Sequence, residues 1–186
     1  MKTMPELQAA DEKQLLGEAK RGNAEAFGEL YERHAPDIFR FLYGHMDDRL
    51  DAEDLTEEVF LKAWRALPKY REKGYPFSAF LYRIAHNTLI DYYRTSARPK
   101  QDVQLESSLL RDPCPEPGDY VSRQIEHQEL HQTLHKLKED YRMVLIARYI
   151  SNLSPEETGK VMGKSPGAVR VLQFRALAAL RKLIEK

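Results

Sequence analysis

Two Ser-Pro dipeptides near the end of the chain, Ser154-Pro155 and Ser165-Pro166, constrain its local architecture more than any other feature. A serine at an N-cap accepts a hydrogen bond from a first-turn amide, and proline at the next position loses nothing, because its missing N–H would have had no helical partner. Glu157, three residues after Ser154, completes a capping box. A short helix is therefore predicted from Ser154 to Met162, with Gly163 as the turn and a final helix launched at Ser165 and reaching about Ile184. Two helices joined by a tight glycine turn have helix-turn-helix spacing.

On the final helix Val169, Leu172, Ala176, Leu180 and Leu183 share a face suited to packing on the preceding helices, and Arg170, Val171, Phe174, Arg175, Arg181 and Lys182 occupy the other. A recognition helix offers base-edge contacts from its N-terminal part and phosphate contacts further along. Arg170, Val171 and Phe174 are accordingly assigned to bases or thymine methyls, and Arg175, Arg181 and Lys182 to phosphates, with Ser165 capping the helix. The bland alternative is a basic C-terminal helix that complements its own dipole.

Upstream, Pro99, Pro113, Pro115, Pro117 and Gly118 fall in a stretch to Ser122 that holds 5 acidic and 2 basic residues. Proline at that density cannot continue helices, so the segment reads as a flexible linker. The expected fold is all-α, with small helical domains at 1–98 and 123–186 joined by residues 99–122. In the first, Leu15 to Tyr31 gives an amphipathic stretch broken at Gly22, Ile38 to Tyr43 a second, and Leu55, Val59, Ala63, Trp64 and Leu67 the apolar stripe of a third that Pro68 ends. In the second, helices are expected over about Val121–Leu137 and Asp140–Ile150.

The formal net charge is zero, yet the charge is segregated. Asp11 to Glu58 holds 14 acidic and 6 basic residues, Val59 to Arg98 holds 8 basic and 2 acidic, and Lys160 to Lys186 holds 7 basic and 1 acidic. Two basic blocks suit two contacts with a polyanion, and the acidic block a basic protein partner. Within the first basic block, Leu81, Ala85, Thr88 and Tyr92 form a core side of a helix over Ser78 to Arg94. Arg83, His86, Asn87, Ile90, Arg94 and Arg98 project from the opposite side as a cationic, amide-bearing ridge, preceded by Tyr75, Phe77 and Phe80. Aromatic groups beside a basic groove are what unstacked single-stranded bases need.

The start of the chain lacks the apolar core of a signal peptide and no stretch has the length of a membrane span, so a cytoplasmic protein without a membrane partner is expected. The single Cys114 cannot make an internal disulfide. No P-loop, GxSxG, HExxH or dinucleotide glycine pattern is present, so neither catalysis nor a cofactor is expected.

Four segments in order resemble the extracytoplasmic-function (ECF) sigma factors, the smallest members of the sigma-70 class. RGNAEAFGELYERH (Arg21 to His34) and DAEDLTEEVFLKAWRAL (Asp51 to Leu67) are similar to the start and the core-binding part of their first domain. YPFSAFLYRIAHNTLIDYYR (Tyr75 to Arg94) resembles the segment that melts and reads the promoter's minus-ten element. SPEETGKVMGKSPGAVRVLQFRALAALRKL (Ser154 to Leu183) resembles the domain that reads the minus-thirty-five element. The resemblance implies a factor that binds core RNA polymerase and directs promoter-specific initiation. It implies that Asp51, Glu53, Asp54 and Glu58 face the clamp helices of the largest subunit with Leu55 and Val59 packing between, and that the second domain meets the flap of the second-largest. It further implies that Tyr75, Phe77, Arg83, His86, Asn87 and Arg94 engage the melted strand, that the loop Arg71 to Pro76 helps capture a flipped base, and that an anti-sigma partner exists.

Two readings stand beside this one. A self-sufficient helix-turn-helix regulator, with a sensing or dimerising N-terminal lobe, would carry the same C-terminal signature. His127, His131 and His135 share one helix face at the spacing of zinc ligands, with Cys114 upstream, or else border the apolar stripe of Leu130, Leu134 and Leu137 as packing residues.

Overall fold

The computed structural model describes residues 4–46, 48–71, 76–96, 130 and 132–185, and these contain no strand. The first lobe comprises α1 (Met4–Lys20), α2 (Ala24–Tyr43), α3 (Arg49–Ala66), a 3-10 turn at Leu67–Lys69, and α4 (Phe77–Ser96). The second comprises a helical stretch at 132–135, α5 (Glu139–Leu145), a π-helical turn (Ile146–Ile150), α6 (Pro155–Met162) and α7 (Pro166–Ile184). Most of the expected linker and the start of the second domain lie outside the described residues.

Local chemistry sets the breaks. Gly22, at φ +93°, turns the chain between α1 and α2, and the Asn23 side chain accepts from the amides of Glu25 and Ala26 to start α2. Asp48 caps α3 through the Leu50 amide, and Pro68 sits in the 3-10 turn that follows it. The two amphipathic stretches expected across residues 24–43 are one helix, which passes through Pro36. Proline in a helix interior costs about 3 kcal/mol. Five buried side chains on one face, Ala26, Leu30, Ile38, Phe41 and Leu42, outweigh it, each large one contributing roughly 1.5–3 kcal/mol.

Inside the first lobe Leu30, Phe41, Leu42, Val59, Leu67, Phe77, Leu81 and Leu89 form the core. In the second, Val144, Ile146, Val161, Val169 and Ala176 do. The helix expected to reach Ile150 widens into a π turn over its last five residues. There the Arg148 side chain binds the Leu153 carbonyl and reaches Gln173 of α7 at 3.1 Å, tying the turn to the final helix. The lobes also touch each other: α6 packs on α4 and the π turn on α2.

Candidate functional site

Both predicted caps are made. Ser154 Oγ accepts from the Glu157 amide at 3.1 Å while Glu157 Oε2 accepts from the Ser154 amide at 2.8 Å, and Ser165 Oγ accepts from the Ala168 amide at 3.2 Å. Gly163 takes the left-handed conformation, φ +66°, that a tight exit from α6 requires. A second glycine, which the sequence reading passed over, sets the distance between the two helices. Gly159 is buried, and a Cβ there would stand 2.5 Å from the Lys164 carbonyl oxygen. Its signal in the sequence is only a glycine placed mid-helix four residues before the turn glycine.

These constraints aim α7. Val169 and Ala176 are buried, while Val171 and Phe174 are 52% and 76% exposed, and Arg170, Arg175, Arg181 and Lys182 line the same outer side. Arg170 is held by Glu156 of α6 at 3.0 Å, and Arg181 lies 3.9 Å from Glu185. Leu177 and Ile184 continue the exposed apolar strip beyond the residues assigned to bases.

On α4 the ridge divides. Arg83, Asn87, Ile90 and Arg94 are exposed, with Arg94 3.0 Å from Asp91. His86 is half-buried and turned toward the second lobe; burial lowers its pKa, against the opposing influence of Glu139 and Asp140. Tyr75 and Arg98 lie outside the described residues. Phe77 is corrected: at 1% exposure it sits in the core, ring to edge with His34 and Tyr70, and cannot stack on a base. The half-buried Tyr70 and Phe80, ring centroids 4.7 Å apart, hold the aromatic place instead. They border a cavity of about 500 Å³ with Lys69, Arg71, Arg83 and, from the second lobe, Lys160.

On α3 the acids differ in availability. Asp54 is exposed; Glu58 is exposed beside Lys62 at 2.7 Å; Glu53 is half-buried beside Arg49 at 2.8 Å; Asp51 is half-buried and accepts from the Tyr92 hydroxyl at 2.5 Å. Leu55 and Val59 are a second correction, since at 6% and 0% exposure they face the lobe's own core and have no surface left for a partner. An apolar seat nevertheless lies next to the acids: Phe27 and Tyr31 of α2 with Phe60, Leu61 and Trp64 of α3 line an open groove edged by Glu57.

Where the lobes meet, His45 is fully buried, its Nδ1 bonded to the Phe41 carbonyl at 2.7 Å. Burial lowers its pKa to about 3, with Arg142, His86 and His135 adding to the effect. Tyr82 of α4 is pushed up to about 12, chiefly by burial, with Ser151 of the second lobe beside it opposing the shift. His127, His131 and Cys114 lie outside the described residues; His135 Nδ1 is 3.0 Å from the Arg142 guanidinium. Among the described residues no group of three or more His, Cys, Asp or Glu is arranged to hold a metal, and no helix is long and apolar enough to cross a membrane.

Comparison with known proteins gives the family. Residues 30–99 match the family Sigma-70 region 2, and residues 127–180 match Sigma-70, region 4. The chain is 34% identical to the ECF RNA polymerase sigma factor ShbA of Streptomyces griseus, over 92% of this chain and 94% of that one. It is 31% identical to the ECF sigma factor BldN of Streptomyces coelicolor, over 92% of this chain and 65% of that longer protein. Among solved structures it is similar to CnrH in complex with the cytosolic domain of CnrY, with a TM-score of 0.73 and 27% identity, covering 94% of this chain and 97% of that one. With both sigma regions in order on one chain, and a relative matched over nearly its whole length, this protein belongs to the ECF sigma factors, which direct promoter-specific transcription initiation by RNA polymerase.

Proposed function

We propose that this sigma factor docks on core polymerase through the outer face of α3 and grips the promoter at two points, the α4 ridge and the outer face of α7. Residues 1–98 serve as the polymerase-binding and strand-reading domain, 123–186 as the upstream-element domain, and 99–122 connect them. One observation carries the reading: an exposed acidic face and two exposed cationic faces lie on three different helices whose opposite faces are buried. Asp54 and Glu58 meet the basic clamp helices, with Glu53 and Asp51 behind them and the Phe27–Trp64 groove as the apolar contact that Leu55 and Val59 do not provide. Arg83, Asn87 and Arg94 follow the melted strand, and Tyr70 and Phe80 offer an aromatic wall to an unstacked base. Arg170, Val171 and Phe174 read base edges in the major groove, while Arg175, Arg181 and Lys182 hold phosphates.

CnrH is bound by the cytosolic domain of CnrY in its solved structure, and an anti-sigma partner is proposed for this chain too. The protein acts in the cytoplasm with the polymerase, contributes recognition and requires no cofactor of its own, the polymerisation chemistry belonging to its partner.

Transcription from a random-sequence template library, with core polymerase and the purified chain, tests the reading. Enrichment of two sequence blocks at fixed spacing upstream of one start is expected. Specific duplex binding by the chain alone, with no start-specific transcript when polymerase is added, would establish the independent regulator instead.

A further inference from the structure

We infer that the cavity bounded by the 3-10 turn, α4 and α6 is a binding site for a small free nucleotide of the nucleoside triphosphate class, whose phosphates are clustered at one end. The charge of its lining carries the inference. Lys69, Arg71, Arg83 and Lys160 surround a space of about 500 Å³, and among the described residues no aspartate or glutamate lines it. All four cations are exposed. Other arginines on α4 and α7 already have a carboxylate close by: Arg94 is 3.0 Å from Asp91, Arg170 is 3.0 Å from Glu156, and Arg181 is 3.9 Å from Glu185. Among the described residues Lys69, Arg71 and Arg83 have no such partner. Like charges gathered in a cleft with no counter-charge focus a positive potential there, and an entering anion relieves their repulsion.

Size and shape select the kind of anion. The volume falls within the range of small-molecule sites, roughly 300–1,000 Å³. Tyr70 and Phe80, ring centroids 4.7 Å apart, give one side of the cavity an aromatic wall, and a base packs on aromatic rings whatever its identity. Lys20 of α1 stands 4.9 Å from the centroid of the Tyr70 ring and adds a further cation beside that wall. A single strand brings one phosphate charge with each nucleotide, so a strand nucleotide seated here would leave most of the four cations unmatched. A triphosphate brings its charges together. Lys160 comes from α6 and the other three cations from the first lobe, so the phosphate cluster would be held from two sides.

The test uses the full chain without polymerase or promoter, so its outcome is independent of the strand-reading assignment of α4. Isothermal titration calorimetry with adenosine triphosphate should show saturable one-to-one binding. Tripolyphosphate, which has the charge without the base, should bind about tenfold more weakly. Adenylyl-adenosine, which has two bases and a single phosphate, should be weaker by at least about tenfold, having lost most of the charge-assisted contacts. Lys160→Glu places an acid in the wall at an exposed position, so the variant should keep its helical circular dichroism and lose about tenfold or more in affinity for the triphosphate. Lys182→Glu makes the same change of charge on the exposed outer face of α7, outside the cavity, and should bind the triphosphate as the parent does. Absence of saturable binding, tripolyphosphate or adenylyl-adenosine binding as tightly as the triphosphate, or equal losses in the two lysine variants each overturns the site.

Discussion

Replacing Gly159 by alanine separates backbone approach from side-chain packing as the determinant of the helix-turn-helix. Alanine is favoured over glycine in a helix interior by roughly 0.5–1 kcal/mol, so a roomy site would gain stability. This site is not roomy, because the new methyl carbon would stand 2.5 Å from the Lys164 carbonyl oxygen and 3.6 Å from its carbonyl carbon. Carbon–oxygen contacts relax at roughly 3.3 Å and beyond, so the turn must retreat by about 0.8 Å. Lys164 is poorly placed to retreat: its amide is bonded to the Gly159 carbonyl at 2.9 Å, and its carbonyl leads directly into the capping Ser165. Overpacking costs about 1–3 kcal/mol, and a backbone obstacle belongs at the upper end. After the propensity gain a net loss of about 2 kcal/mol remains, or about 4–8 °C in Tm for a chain of this size. Scanning calorimetry of the full chain reads it, with Gly28→Ala as the internal control. Gly28 is exposed on α2 with nothing within 4 Å of an added Cβ, and its substitution should gain stability. If Gly159→Ala raises Tm as Gly28→Ala does, the close approach does not hold the two helices.

Three further substitutions probe function and pH. Asp54→Ala should weaken core-polymerase binding, by about 1 kcal/mol for an exposed charge, without altering which promoters are chosen. Arg170→Ala should leave polymerase binding intact and weaken upstream-element selection by about 1–3 kcal/mol; equal loss of polymerase affinity in both variants, measured by fluorescence anisotropy, would contradict the division of surfaces. His45 has a folded-state pKa of about 3, below its unfolded value of 6.5, so the native state binds fewer protons than the unfolded one between those limits. Its contribution is neutral above pH 6.5 and turns destabilising as pH falls, reaching about 2 kcal/mol at pH 5. Urea unfolding of the parent and of His45→Gln across pH 7.5 to 5 should show the loss in the parent and a shallower dependence in the variant; parallel curves would exclude His45 as its source.

The second lobe was far more legible in the sequence than the placement of particular side chains in the first. Capping is decided within three or four residues, so Ser154, Glu157, Gly163 and Ser165 announce their hydrogen bonds and turn geometry without knowledge of the fold. The role of Gly159 depends on where residue 164 returns in space, and glycine's lack of a side chain leaves no pattern to read. Leu55 and Val59 show a different limit. Their stripe with Ala63 marks an apolar face, but the family resemblance drew them toward a partner that a side chain already filling the lobe's core cannot reach. Phe77 lies where the chain enters α4, and sequence proximity to a basic ridge did not reveal that its ring turns inward against Tyr70 and His34. The contact between lobes left no periodic trace at all, since it joins α6 to α4 and the π turn to α2 through residues scattered over the chain, Gly44 against Ile146 among them.

Zero net charge and DNA recognition are reconciled by how the cations are already engaged. On α7, Arg170 is paired with Glu156 and Arg181 lies near Glu185, while on α4 Arg94 is paired with Asp91. A phosphate must compete with a carboxylate at each of these positions, which reduces the net attraction that each lobe alone exerts on a duplex. Few phosphates neutralised per lobe means weak binding with a shallow salt dependence, since each duplex phosphate contact adds only roughly 0.9 to the salt slope. Two weak grips become one strong grip only when a scaffold fixes their separation, because the second contact is then intramolecular and its effective concentration replaces the bulk one. Asp54 and Glu58 are exposed on α3 and, in the proposed function, attach the chain to that scaffold. If these acids dock the chain as proposed, DNA binding is conditional on polymerase, and a variant with Asp54 and Glu58 neutralised should become more cationic yet less able to find a promoter.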